Sequence, residues 1–374
     1  MLRLRMERIT QTPAEAFVGR TIAGKYRLLE KIGEGAMGAV YEALDADARP
    51  CAVKMMHARA VADPALRTRF EREAQALFSL RHPNVLEVRD YGVEAGLPFL
   101  VMERLSGRTL EEMVVEHTPD PQTGVELAKQ VLRGLAYAHA HGVLHRDIKS
   151  ENVFVTWNGR EHRCVLLDFG LVKLDDSKHG PSEKLTMAGS VMGSPAYMSP
   201  EQGTGQPVDA RTDVYAMGVV LYELVTGEWP FSAESQIEMF RMHLVERPPE
   251  MESQREHLVV APGLEAIVQK ALAKAKADRW QDAGEMLAAL EALPSPSAWL
   301  DPTGRSRPSA VSHPGAHVAA SSGATSAKAA APAATSAPSA VDPMPGRNTL
   351  IALIVGVFLL ATLFGGGLLW FFTR

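Results

Sequence analysis

Residues 145–152 read "HRDIKSEN" and residues 168–170 read "DFG". Between them, "VFVTWNGREHRCVLL" has the pattern of two strands that turn at Asn158-Gly159, a dipeptide favoured in tight hairpins. Such a hairpin sets Asp147 and Asn152 just before its first strand and Asp168 just after its second. Two carboxylates and an amide at strand ends can accept a proton and hold a hard cation. Mg²⁺ prefers such oxygens and keeps phosphate oxygens in its shell.

Upstream, Gly33-Glu34-Gly35-Ala36-Met37-Gly38 follows Ile32 and precedes Val40. A dinucleotide fingerprint needs a helix to open at the third glycine. Here Ala39, Val40 and Tyr41 continue as strand, so the loop reads as a flap between two strands. Its bare backbone can approach phosphates closely. Lys54 ends the strand-like "CAVK", and Glu73 lies on an amphipathic helix, "PALRTRFEREAQALFSL", with Phe70, Ala74, Leu77 and Phe78 on one face. Alone, each charge reads as solvated. Together they suggest a buried ion pair that aims an ammonium at phosphate oxygens.

The signals run in an informative order. Strand-like segments dominate from Tyr26 to about Met56 and again in "VLEVRDYGVE" and "PFLVME"; past Ser106 the pattern is mostly helical. A small β-rich lobe followed by a larger α-rich lobe is an α+β, bilobal architecture, with a cleft between lobes as a natural ligand site. The net charge of −5 creates no field that would draw nucleic acid. Two distant cysteines, Cys51 and Cys164, are too few for a disulfide framework or a zinc site and fit a reducing cytosol. His139, His141 and His145 run from a helix end into a loop, and a metal site is the alternative reading of that cluster.

With all these motifs in order, the stretch from Tyr26 to about Leu290 resembles the eukaryotic-type (Hanks-type) serine/threonine protein kinases found in bacteria. The resemblance implies ATP and Mg²⁺ as cofactors, with Mn²⁺ as an alternative ion, and proteins as substrates. It implies that Ile32, Gly33, Glu34, Gly35, Ala36, Met37 and Gly38 cover ATP. Lys54 would contact the α- and β-phosphates and pair with Glu73. Val40, Ala52 and Phe154 would sandwich adenine, with Met102 behind it and Glu103 and Leu105 offering backbone groups to its edge. Asp147 would accept the acceptor's hydroxyl proton, Lys149 would steady the γ-phosphate, and Asn152 and Asp168 would hold the metal. Asp213 would brace the catalytic loop, His145 would be a packing residue of that loop and not a metal ligand, and Glu201 of Ser199-Pro200-Glu201 would pair with Arg279.

Some positions depart from the family pattern. Ser150 stands where proline is common and reads as a change in loop rigidity. Ser194 replaces a common threonine in the substrate groove and keeps its hydroxyl. Tyr215 replaces a more usual tryptophan. Arg146, beside Asp147, calls for an anion, and Thr186 and Ser190 stand where related kinases are phosphorylated. Autophosphorylation in trans, through a kinase–kinase dimer, is the expectation. A dead scaffold would lack Lys54, Asp147 or Asp168, all of which are present. A small-molecule phosphotransferase would not need the Lys149, Ser194 and Ser-Pro-Glu shelf, and a membrane adaptor would leave the catalytic set unexplained.

The remaining boundaries follow composition. Residues 1–25 read as an N-terminal extension without a signal peptide and 26–293 as the kinase domain. Residues 294–348 are rich in Ala, Ser and Pro and read as a disordered linker. Residues 349–372 form an uncharged run of 24 residues, long enough to span a bilayer as a helix, with Trp370 near its end as an interfacial anchor. Only Thr373 and Arg374 follow, as a tail at 373–374. The expectation is therefore a single-pass tail anchor in the cell (inner) membrane, with the kinase domain in the cytoplasm.

Overall fold

Alternating burial builds the small lobe. In a computed structural model, the described residues are 17–35, 38–57, 70, 74–169, 195–255 and 258–294. Strands β1 (Thr21–Ile22), β2 (Tyr26–Glu34), β3 (Gly38–Leu44), β4 (Pro50–Met56), β5 (Val88–Glu94) and β6 (Leu97–Glu103) form one antiparallel sheet in the order β1-β2-β3-β4-β6-β5. Its outer face packs Leu28, Tyr41, Ala43, Val53, Phe99 and Val101 into one cluster. Ile22 joins that cluster, Phe17 meets Tyr41 edge-on at 6.3 Å, and Thr21 and Ile22 pair with Arg27 and Tyr26. The small lobe thus extends upstream of residue 26. Gly38 opens β3 where a Cβ would run into the Met55 carbonyl, so packing alone demands glycine there.

Residues 74–79 are helical. Phe70, Ala74 and Leu77 are buried as the period predicts, but Phe78 is 40% exposed. Positions 70, 74 and 77 follow the i, i+4, i+7 stripe, and position 78 falls on its flank. There the Phe78 ring meets Tyr91 edge-on at 5.7 Å, with the Arg81 guanidinium 5.3 Å from its centroid.

The larger lobe begins with β7 (Gly107–Thr109) and α1 (Leu110–Glu116). Thr109 and Glu112 close a capping box at the start of α1. Helix α2 (Pro121–Ala140) is capped by Asp120 with proline in its first turn. Strands β8 (Val153–Trp157) and β9 (His162–Leu166) form the expected hairpin, closed by the Asn158 N–H on the Glu161 carbonyl at 3.3 Å, and join β7 in a second sheet. After residue 194 come α3 (Pro200–Thr204), α4 (Ala210–Thr226), α5 (Gln236–Val245), α6 (Leu264–Ala271) and α7 (Ala283–Glu291). Every residue of α4 from Thr212 to Thr226 is buried. A helix apolar or paired on all sides is a core axis, and α2, α6 and α7 pack around this one.

Two polar clusters are locked beside that axis. Arg279 is buried, and all five of its N–H donors are matched. Nη1 and Nη2 grip Glu201 at 2.8 and 2.9 Å, Nε reaches the Ala273 carbonyl, and the remaining two N–H groups reach the carbonyls of Arg211 and Lys274. A buried ion pair offsets its desolvation only with such complete partnering. The expected Glu201–Arg279 pair is therefore present. Tyr215 places its hydroxyl 2.9 Å from Nδ1 of the buried His243, a partner its sequence position did not reveal.

The expected sites Ala36, Met37, Glu73, Thr186, Ser190 and Ser194 lie outside the described residues, as do 1–16, the linker from 295 and the run 349–372. Among the described residues, no helix is long and apolar enough to cross a membrane.

Burial, and then the Lys274 charge, push the His243 imidazole down to about 4 from its ordinary 6.5. The unfolded chain takes up this proton first as pH falls. Stability from His243 is thus complete above about pH 6.5 and is lost towards pH 4, by roughly 3 kcal/mol in all. Urea unfolding of wild type and His243→Asn across that window should show the steeper acid loss in the wild type. Parallel curves would refute this.

Candidate active site

The catalytic loop hangs from one buried carboxylate. Asp213, in the first turn of α4, is 1% exposed. It accepts the backbone N–H of His145 at 2.8 Å and of Arg146 at 2.6 Å, and the His139 ring nitrogen lies 2.9 Å away. Burial opposes its charge, but the His139 hydrogen bond and charge, with His145, hold its pKa below the ordinary value. Arg146 has φ +65°, a left-handed conformation that costs a non-glycine residue energy and persists only where neighbours enforce it. The two N–H bonds to Asp213 supply that enforcement. His145 thus packs within the loop, and His139 serves the carboxylate, a role its sequence position did not reveal.

His145 is fully buried, and its partners fix its tautomer. Nε2 lies 2.8 Å from the Leu167 carbonyl and must donate; Nδ1 receives the Asp147 N–H at 3.3 Å and must accept. Both demands are met only by the neutral ring, and burial lowers its pKa accordingly. The ring also faces Phe169 at 4.5 Å, so one imidazole ties "HRD" to "DF".

Asp147 and Asn152 meet directly. The Asn152 amide donates to the Asp147 carbonyl at 2.8 Å and to its carboxylate at 3.1 Å. The amide nitrogen is thereby committed, and the carbonyl oxygen is the end suited to a cation. On the other side of the cleft, Lys54 lies in β4 opposite Val40 and Leu100. Its ammonium reaches Asp168 at 2.5 Å. Partial desolvation in the cleft favours the neutral acid at Asp168, whose side chain is still 53% exposed, but the Lys54 charge and hydrogen bond outweigh it and lower the pKa. Asp168 also takes a positive φ, +34°. Lys54 thus pairs across the lobes with Asp168, while Glu73 lies outside the described residues. The Lys149 ammonium sits 3.8 Å from Glu151.

Strand register sets some of the residues expected around adenine opposite named partners in their own sheets. Ala52 faces Met102 across β4 and β6, both buried, and Thr109 pairs with Phe154 across β7 and β8. Val40, Leu105 and Phe154 are half-buried, and Ile32 is 40% exposed. In the flap, the Gly35 N–H bonds the Gly38 carbonyl at 2.9 Å. Among the described residues a Cβ at Gly35 would meet nothing within 4 Å, so their packing does not demand that glycine; close approach by a phosphate would.

Two contacts were not read from the sequence. The His57 ring nitrogen lies 3.2 Å from the Gly35 carbonyl and supports the flap from the end of β4. Glu103 accepts a forked contact from Arg163, at 3.1 Å from Nη2 and 3.3 Å from Nη1, while Arg163 Nε reaches the Pro83 carbonyl at 2.6 Å. The same carboxylate accepts the Glu87 N–H at 3.1 Å. This clamp holds the end of β6, directly after Met102. Arg163 is 60 positions from Glu103, and no local signal joins them.

The donor set fits Mg²⁺. Asp168 and Asn152 offer hard oxygens, and this ion typically takes one or two carboxylates and completes its shell with water and phosphate. Among the described residues, no group of three or more His, Cys, Asp or Glu could hold a metal without such help.

The protein kinase domain model matches residues 26–290. The chain is 40% identical over 290 residues to the serine/threonine-protein kinase pkn3 of Myxococcus xanthus, covering 76% of this chain and 52% of the relative. It is 38% identical over 276 residues to PknB of Mycolicibacterium smegmatis, covering 72% of this chain and 43% of the relative. The chain therefore spans about half, or less, of the length of these relatives. It is also similar to the crystal structure of the Mycobacterium tuberculosis PknI kinase domain, with a TM-score of 0.56 and 28% identity, covering 73% of this chain and 97% of that one. Fold, site geometry and these likenesses converge: the chain belongs to the protein kinase family.

Proposed function

We propose that the protein transfers the γ-phosphoryl group of ATP to serine or threonine hydroxyls of proteins. The observation that carries this reading is the convergence of four groups on one frame: Lys54 on Asp168, and Asn152 on Asp147. The acceptor oxygen bonds to the γ-phosphorus, and the bond from that phosphorus to the β–γ bridging oxygen breaks. The hydroxyl proton passes to Asp147, and ADP leaves. Little covalent chemistry is asked of the protein, so positioning and charge neutralisation supply the rate. Lys54 and Lys149 would orient the phosphates. Asn152 and Asp168 would hold Mg²⁺, which when bound neutralises charge on the phosphate oxygens.

A protein acceptor is favoured over a small molecule by the shelf beside the loop. Ser199 and Gln202 form a capping box at the start of α3, and the Gln202 amide donates to the Arg146 carbonyl at 2.9 Å. The Ser-Pro-Glu shelf and the catalytic loop are thus one unit. Autophosphorylation at Thr186, with Ser190 second, through an encounter of two kinase domains, belongs to the same proposal and rests on the residue types in that segment. Incubation of full-length protein with γ-labelled ATP, Mg²⁺ and a generic basic protein should label both proteins, with Thr186 or Ser190 modified. Asp147→Asn should lower transfer by at least about 1,000-fold. Undiminished transfer by that variant would defeat the reading, and label confined to other residues would defeat the phosphosite assignment.

A second part concerns location. The uncharged run 349–372 supports a single helix across the cell membrane, with the kinase domain on the cytoplasmic side where ATP is found. Full-length protein should sediment with membranes and resist salt extraction, whereas protein lacking residues 347–374 should be soluble. Equal solubility of the two would reject the span.

A further inference from the structure

Ser150 reads from the sequence as a change in loop stiffness, yet its side chain is the centre of a buried polar hub. The residue is fully buried in the 3₁₀ turn Ser150–Asn152, directly after Lys149. Its hydroxyl contacts the Tyr197 hydroxyl at 2.7 Å and donates to the Glu223 carboxylate. Tyr197 donates to the same carboxylate oxygen at 2.8 Å. The Trp229 indole N–H points at the Tyr197 oxygen, 3.0 Å away, and at the other Glu223 oxygen, 3.2 Å away. Glu223 is 6% exposed, so its charge is out of water and depends on these donors.

The hub joins parts that bear on the acceptor. Tyr197 closes the 3₁₀ turn Pro195–Tyr197, at the start of the shelf. Glu223 lies on α4, ten residues after Asp213 and so about 15 Å further along the helix axis. The same rigid helix therefore grips the catalytic loop twice, at the backbone before Asp147 and at the side chain after Lys149. The second grip is shared with the shelf, and proline at this position would carry no hydroxyl to make it.

We infer that Ser150 is a positioning residue: through Glu223 and Tyr197 it sets the catalytic loop against the acceptor shelf, so that the acceptor hydroxyl is held over Asp147. The inference rests on the kinase reading above. It separates two activities, because a water molecule attacking ATP uses Lys54, Lys149, Asn152, Asp168 and Asp147 but not the shelf.

The test compares full-length wild type, Ser150→Ala, Tyr197→Phe and the double variant. Thermal unfolding confirms folding. Measured are kcat and KM for a protein acceptor, KM for ATP, and ATP hydrolysis without acceptor. Each single variant should lose roughly ten-fold or more in kcat/KM for the acceptor, the worth of a buried hydrogen bond to a charged group. ATP KM and acceptor-free hydrolysis should stay within about two-fold of wild type. The double variant should lose little more than either single one, since both cut the same hub. Unchanged acceptor kinetics, equal loss of hydrolysis and transfer, or fully additive losses would overturn the inference. If Ser150→Ala does not fold, Tyr197→Phe, which leaves the catalytic loop untouched, decides by the same split. A wild type that transfers no phosphate refutes the kinase reading and this inference with it; an active wild type matched by its variants refutes this inference alone.

Discussion

The carboxylate of Asp213 is the constraint on which the site depends. Taking an ionised carboxylate out of water is costly unless donors surround it, and here two of those donors are the backbone N–H groups of His145 and Arg146. The satisfaction of that charge and the shape of the catalytic loop are the same event. Arg146 can hold its left-handed conformation because its N–H has nowhere better to go. Asp147 follows immediately, already turned towards Asn152. The loop's geometry is thus set by a helix it does not belong to.

That helix can serve as a reference because nothing about it is loose. From Thr212 to Thr226 it is buried on every side, and the side chains of Thr212, Asp213, Tyr215, Glu223 and Thr226 all find hydrogen-bond partners. Thr212 donates to Glu201 at 2.8 Å, Glu201 is gripped by Arg279, and Arg279 closes on three carbonyls. Further along, Glu223 gathers hydroxyls from the catalytic loop and the shelf. The small lobe joins this frame through a different charge pair, Lys54 on Asp168, and through the Glu103–Arg163 clamp at the end of β6. The lobe-to-lobe contact and the loop-to-shelf contact therefore have separate charged anchors, Lys54–Asp168 at the partly open cleft and Glu223 in the buried hub.

Much of this was legible in the sequence where spacing along the chain determines geometry. The flap, the hairpin at Asn158-Gly159, Asp147 with Asn152, and Asp168 after β9 are local patterns, and local patterns survive folding. Asp213 and the Glu201–Arg279 pair were readable because each sits in a recognisable motif. What escaped was the choice of partner over long separations. Arg163 and Glu103 look like ordinary surface charges until β9 and β6 bring them together. Ser150 looked like a missing proline, because one hydroxyl in a sequence does not announce a carboxylate 73 positions away. Phe78 looked like core because the apolar stripe was drawn one position too wide. Strand β1 is two residues long, too short to carry a period.

The most direct measurement replaces the constraint itself. In Asp213→Asn, the new amide group would face an N–H donor in place of a carboxylate oxygen, so one of the two backbone bonds must fail. ATP affinity and phosphoryl transfer should then be compared in protein that still unfolds cooperatively. If the carboxylate sets the catalytic loop, transfer falls by roughly 100-fold, about 2.7 kcal/mol, while ATP affinity stays within about three-fold of wild type. Transfer at the wild-type rate, or a loss of ATP affinity as large as the loss of transfer, would contradict the account.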